Sequence, residues 1–63
     1  MSFTIKHFRD GFPVGIPDQA TTMYAARSHA RSRQAELGSS VAIILGETVT
    51  GDEKEIEVIS FVN

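Results

Sequence analysis

Asp10-Gly11 restricts this chain more than any other feature. The dipeptide supplies the positive φ angles of a two-residue type I′ turn, and it lies between two stretches, FTIKHFR and FPVGI, rich in strand-forming residues. Such a turn fixes the pairing on either side of it. Arg9 is expected to face Phe12, Phe8 to face Pro13, His7 to face Val14, Lys6 to face Gly15 and Ile5 to face Ile16. Phe3, Ile5, His7, Phe12, Val14 and Ile16 then share one side, the expected core side. Pro13 falls at a non-hydrogen-bonded pair, so its missing N–H points away from β-partners and marks residues 12–16 as an outer edge. The alternative for that stretch is an irregular loop, which leaves a single first strand.

Pro17-Asp18 reads as a helix start, with Asp18 capping free backbone N–H groups, and Leu37-Gly38 reads as its end. The helix is predicted over about 19–37. At 100° per residue Met23, Ala26, Ala30 and Leu37 form one narrow stripe, mostly alanine, facing the sheet. Small side chains let helix and sheet approach closely but bury little area. Two further strands follow, VAIILGETV and EIEVISFV, joined as a hairpin through residues 50–54. Val41, Ile43 and Leu45 share one face of the first, and Ile56, Val58 and Val62 share one face of the second. The architecture expected is one α+β domain over residues 1–63, ββαββ or βαββ, with a single helix packed on a three- or four-stranded sheet.

Ile44, Ile59 and Phe61 fall opposite those sets, as Phe8 falls opposite the first hairpin's core side, and this places four large apolar residues on the predicted outer face. Monomers seldom leave such a patch in water. A chain of 63 residues with no cysteine has no disulfide to compensate for a small core, and association is a substitute. The expectation is a non-enzymatic interaction module that forms a homodimer, with Phe8, Ile44, Ile59 and Phe61 as its protein interface, toward a second copy or an unidentified protein partner. The competing reading is a β-bulge in the last strand that turns Ile59 and Phe61 inward.

The net charge is −2, but residues 1–33 carry +3 and residues 34–63 carry −5, so the chain is electrically two-sided. Within the stretch ARSHARSR, Arg27 and Arg31 adjoin the alanine stripe in a sector shared with Ala20, Tyr24, Gln34 and Ala35. Tyr24, Arg27, Arg31 and Gln34 form the candidate nucleic-acid surface, the arginines gripping phosphate and the tyrosine stacking on a base. Against that stands pairing of the arginine heads with Glu55 and Glu57, or a helix contact with a second copy.

The remaining residues give little chemistry. His7 is expected as a structural histidine on the core side and His29 as an exposed one, and without HxxxH, HExxH or CxxC no metal site is expected. Glu55 and Glu57 lie two apart on one strand and are expected on one face, as a solubilising pair. The serines have no nucleophile-elbow context, and neither a P-loop nor GxGxxG occurs, so no enzyme activity and no cofactor are expected. No apolar run approaches the roughly 20 residues of a membrane span, and no secretory signal opens the chain, which leads to a cytoplasmic expectation.

Overall fold

Asp10 and Gly11 take φ angles of 52° and 84°, and the turn they form joins β1 (Phe3–Arg9) to β2 (Phe12–Ala20). The computed structural model describes residues 2–61. After β2 come α1 (Met23–Leu37), β3 (Val41–Glu47) and β4 (Glu53–Ser60), so the order is ββαββ. The four strands form one antiparallel sheet in the order β2-β1-β3-β4, with the helix on one face. Because β2 and β3 both run antiparallel to β1, they run parallel to each other. Two parallel strands need a crossover, and α1 supplies it over β1.

Near the turn the pairing follows the sequence arithmetic: Arg9 with Phe12, Phe8 with Pro13 and His7 with Val14. Beyond Val14 it departs. The register shifts between Ile5 and His7, so Ile5 pairs with Asp18, not Ile16, and β2 runs on through Pro17 to Ala20. The bulge lets an edge strand carry two prolines, and its centre is Gly15 at φ 73°. Ile16 is thereby turned out, 81% exposed, while Phe12 stays 72% exposed at the sheet margin. Helix initiation moves with the strand. Thr22, not Asp18, is the N-cap: its Oγ1 accepts a hydrogen bond from the Ala25 N–H at 3.0 Å. At the other end Gly38, at φ 66°, donates its N–H to the Gln34 carbonyl at 2.8 Å.

The core lies between α1 and the two central strands. Ala26 and Ala30 are fully buried against it, with Phe3 and Ile5 of β1, Ala42 and Ile44 of β3, and Ala20 at the end of β2. Met23, Ala25, Ile59 and Phe61 pack around that cluster. Two placements therefore differ from the sequence expectation. Ile44 pairs with Ile5 across β1 and β3 and is wholly buried under the helix, and a bulge in β4 opposite Ile44 and Leu45 brings Ile59 to the same side. Phe61 closes the end of that cluster, its N–H bonded to the Ser40 carbonyl at 2.8 Å. The expected Ile44, Ile59 and Phe61 patch on the outer face is not formed. Val62, expected to share a face with Val58, lies outside the described residues.

Among the described residues, Ile5 and Ile44 are the only large side chains wholly removed from solvent. So small a core makes individual contacts count, and Leu37 shows where. Its Cδ atoms sit over Gly15, within 3.0 Å of where a Cβ would stand. Gly11 also needs a positive φ but faces open space. Gly11→Ala should therefore cost about 1–2 kcal/mol from backbone strain alone. Gly15→Ala should cost more, and Leu37→Ala in the same chain should remove that excess without removing the strain. Urea midpoints of Gly11→Ala, Gly15→Ala, Leu37→Ala and Gly15→Ala/Leu37→Ala would check this, and equal costs at the two glycines would refute the packing explanation.

Candidate functional site

Opposite pairs in an antiparallel sheet share a face, so the registers give the outer surface residue by residue. One row is Pro13, Phe8, Val41 and Ser60; the next is Lys6, Ile43 and Val58; the next is Gln19, Thr4, Leu45 and Glu55; the last is Glu47 and Glu53. The column along β3 is apolar throughout: Val41, Ile43 and Leu45. Phe8 and Val58 widen it to either side, Val58 being 51% exposed. Among the described residues no element lies over this face, since the helix is on the other. Phe8 stands where the sequence placed it. Its apolar company is Val41, Ile43, Leu45 and Val58, and Ile44, Ile59 and Phe61 are replaced in that role.

The same bulge in β4 separates two carboxylates expected side by side. Glu55 pairs with Leu45 and faces outward, whereas Glu57 pairs with Ile44 and faces the helix. There Arg27 meets it in a two-pronged contact: Nη2 donates to Oε1 at 2.9 Å and Nε to Oε2 at 3.0 Å. Those hydrogen bonds hold the Glu57 carboxyl below the usual carboxylate range, with the charges of Arg27 and Arg31 acting in the same direction.

Of the candidate nucleic-acid residues, two are engaged in the fold. Arg27 is bound to Glu57, and Gln34 Nε2 donates to the Ser39 carbonyl at 3.1 Å, tying the helix end to the following turn. Tyr24 and Arg31 remain on the solvent side of α1, where they line a shallow, open depression with Ser28 and Ser32. Tyr24 is 84% exposed.

A polar cluster that sequence reasoning missed lies beneath the β2 bulge. His7 and Ser39 are each 2% exposed, and His7 Nδ1 is hydrogen-bonded to Ser39 Oγ at 2.9 Å. Asp18 has Oδ1 bonded to Arg33 Nη1 at 3.0 Å. Arg33 Nε lies 3.2 Å from Glu36 Oε2 but out of line for a hydrogen bond, and His7 Nε2 and Asp18 Oδ2 likewise have no hydrogen-bond partner among the described residues. Serine, histidine and aspartate are the residue types of a nucleophile relay, yet with Ser39 and His7 both enclosed a substrate has no path to the hydroxyl. What the cluster does is lock β1 to the turn after α1 and β2 to the helix. No local signal could have revealed it, because Ser39 is 32 residues from His7 and the β2 bulge sets where Asp18 falls. His29 is exposed on the helix, and among the described residues no group of three His, Cys, Asp or Glu side chains could hold a metal ion. Nor is any helix among them long and apolar enough to cross a membrane.

Comparison with known protein families, curated proteins and solved structures finds no match. What the chain does has to be read from its own residues.

Burial of His7 lowers its pKa from the ordinary value of 6.5; Asp18 opposes the shift and Arg33 adds to it. A lowered pKa means that the folded state binds the proton less readily than the unfolded chain does. Stability from this group is thus complete above about pH 6.5 and is lost as pH falls through the folded value. Urea midpoints should drop from pH 7.5 toward pH 5, and His7→Gln should flatten that slope while lowering stability at pH 7.5. An unchanged slope in the variant would remove His7 as its origin.

Proposed function

We propose that this chain is a non-enzymatic interaction module that associates with a second copy of itself through the outer face of its sheet. The observation that carries the reading is the uninterrupted apolar column Val41, Ile43 and Leu45, flanked by Phe8 and Val58, on a face without a covering layer. The small core adds to it. A domain whose fully buried large side chains are Ile5 and Ile44 gains more from association than one with a full interior. The rim is polar, with Thr4, Lys6, Gln19, Glu55 and Ser60 around the apolar centre, which is the anatomy of a protein interface.

A second reading, a nucleic-acid contact through α1, is favoured by Tyr24 and Arg31 lining one open depression. It is the weaker of the two because Arg27 and Gln34 are committed to Glu57 and Ser39. The helix offers a phosphate backbone little uncommitted positive charge.

Adjacent residues on opposite faces give the decisive experiment. In sedimentation at high micromolar concentration the wild type should have the mass of a dimer, nearly indifferent to salt. Ile43→Glu should keep the far-ultraviolet dichroism of the native fold and sediment as a monomer. Ile44→Glu, which places a charge in the core, should unfold the domain. A monomeric wild type would overturn the proposal. Retention on heparin that disappears at high salt and in Arg27→Ala/Arg31→Ala would move the assignment to the helix.

A further inference from the structure

The charges on the outer face also specify how two copies would meet, an inference that rests on the reading of that face as the contact. Lys6 is its one cation among the described residues, half-buried on β1. The anions lie on the opposite flank: Glu55 on β4, with Glu47 and Glu53 at the end of the β3-β4 hairpin. Between cation and anion runs the apolar column of β3. We infer that the two-fold axis of the dimer runs along β3, so that Val41, Ile43 and Leu45 pack on their own copies and Lys6 of each protomer pairs with Glu55 of the other.

Three symmetric face-to-face arrangements differ in what they set against Lys6. A two-fold axis across the strands lays β1 on β1 of the second copy, whose outward residues, Thr4, Lys6 and Phe8, include no anion. Lys6 would then be enclosed against a strand that offers it no opposite charge. An axis along β1 has the same defect. An axis along β3 exchanges the flanks, because β1 and β4 are its two neighbours in the sheet. Lys6 then lies over Val58, and Glu55 is one row further along the strand, about 7 Å away. With facing sheets about 10 Å apart, a lysine and a glutamate leaning toward each other close that distance. Each copy makes the contact once and receives it once, as an isologous interface requires.

The arrangement has a cost that can be measured. Glu47 sits at the end of the β3 column and would oppose Glu47 of the second copy, so Glu47→Gln should tighten association.

Two kinds of variant test the inference. The chain has no cysteine, so a single introduced one reports its own neighbourhood. Ile43→Cys, on the axis, should give a covalently linked dimer with a short bis-maleimide that spans the gap between the facing sheets, and Thr4→Cys, on β1, should not. Lys6→Glu and Glu55→Lys should each weaken self-association by about fivefold to tenfold, and Lys6→Glu/Glu55→Lys should return it to near the wild-type value. Crosslinking through Thr4→Cys with none through Ile43→Cys would overturn the axis, as would a double variant weaker than either single one. In both cases self-association through this face would still stand. A wild type that sediments as a monomer would remove both.

Discussion

The close approach of α1 to the sheet is the constraint on which the rest of this structure depends. Ala26 and Ala30 are the helix residues that reach the interior fully, and a methyl group is all that each contributes. The helix therefore sits low over β1 and β3, and the strand face beneath it must be shallow too. In β3 that face is Ala42, Ile44 and Gly46, all buried. Gly46 lies under the end of the Ile56 side chain, which would have to move aside to admit a Cβ. The bulkier alternate set, Val41, Ile43 and Leu45, would hold the helix away from the sheet and leave voids beside the alanines. It is left outside. The apolar outer face is thus a consequence of how the core closes.

This explains what could be read from the sequence and what could not. The turn at Asp10-Gly11, the helix end at Gly38 and the contact stripe through Ala26 and Ala30 are local chemistry, written in one or two residues each, and they stand as expected. The phase of β3 is different in kind. Counting hydrophobic atoms favours Val41, Ile43 and Leu45 for the interior, whereas fit against an alanine surface favours Ala42, Ile44 and Gly46. Fit prevails, because close packing rewards matched shapes over larger ones. A one-residue error in phase inverts every side chain of a strand, which is how Ile44 came to be expected on the wrong face.

The two bulges account for most of the remaining discrepancies, and both redistribute charge. In β2 the bulge at Gly15 extends the strand and delivers Asp18 to Arg33, removing it from the helix cap it would otherwise have served. In β4 the bulge opposite Ile44 and Leu45 sends Glu57 to Arg27 and leaves Glu55 outside. Strict alternation places neither, since a bulge breaks the period on which it relies, although a bulge in the last strand that turns Ile59 and Phe61 inward is the competing sequence reading and is what the structure has. Each acid that turns toward the helix finds an arginine there, and the acidic second half of the chain is joined to its basic helix by Arg27 and Glu57. The two-sided charge pattern in the sequence is in part an internal pairing. It is correspondingly less available to an external ligand.

The sheet's edges bear on the same question as its face. At one edge β2 carries Pro13 and Pro17 and is bulged between them, so it lacks two N–H donors and a straight ladder to offer. At the other edge β4 is regular only on either side of its bulge and carries Glu53, Lys54, Glu55 and Glu57. Pairing β4 with its own copy would gather three glutamates but one lysine from each strand, an excess of like charge. Both edges thus resist the extension of the sheet that an exposed strand otherwise invites. The face has no comparable obstacle: its centre is apolar, its single cation and the nearest anion lie on opposite flanks, and nothing in its backbone needs a partner. Under the proposed association, a domain that protects its edges and leaves its face uncovered packs sheet against sheet, burying side chains without exchanging backbone hydrogen bonds.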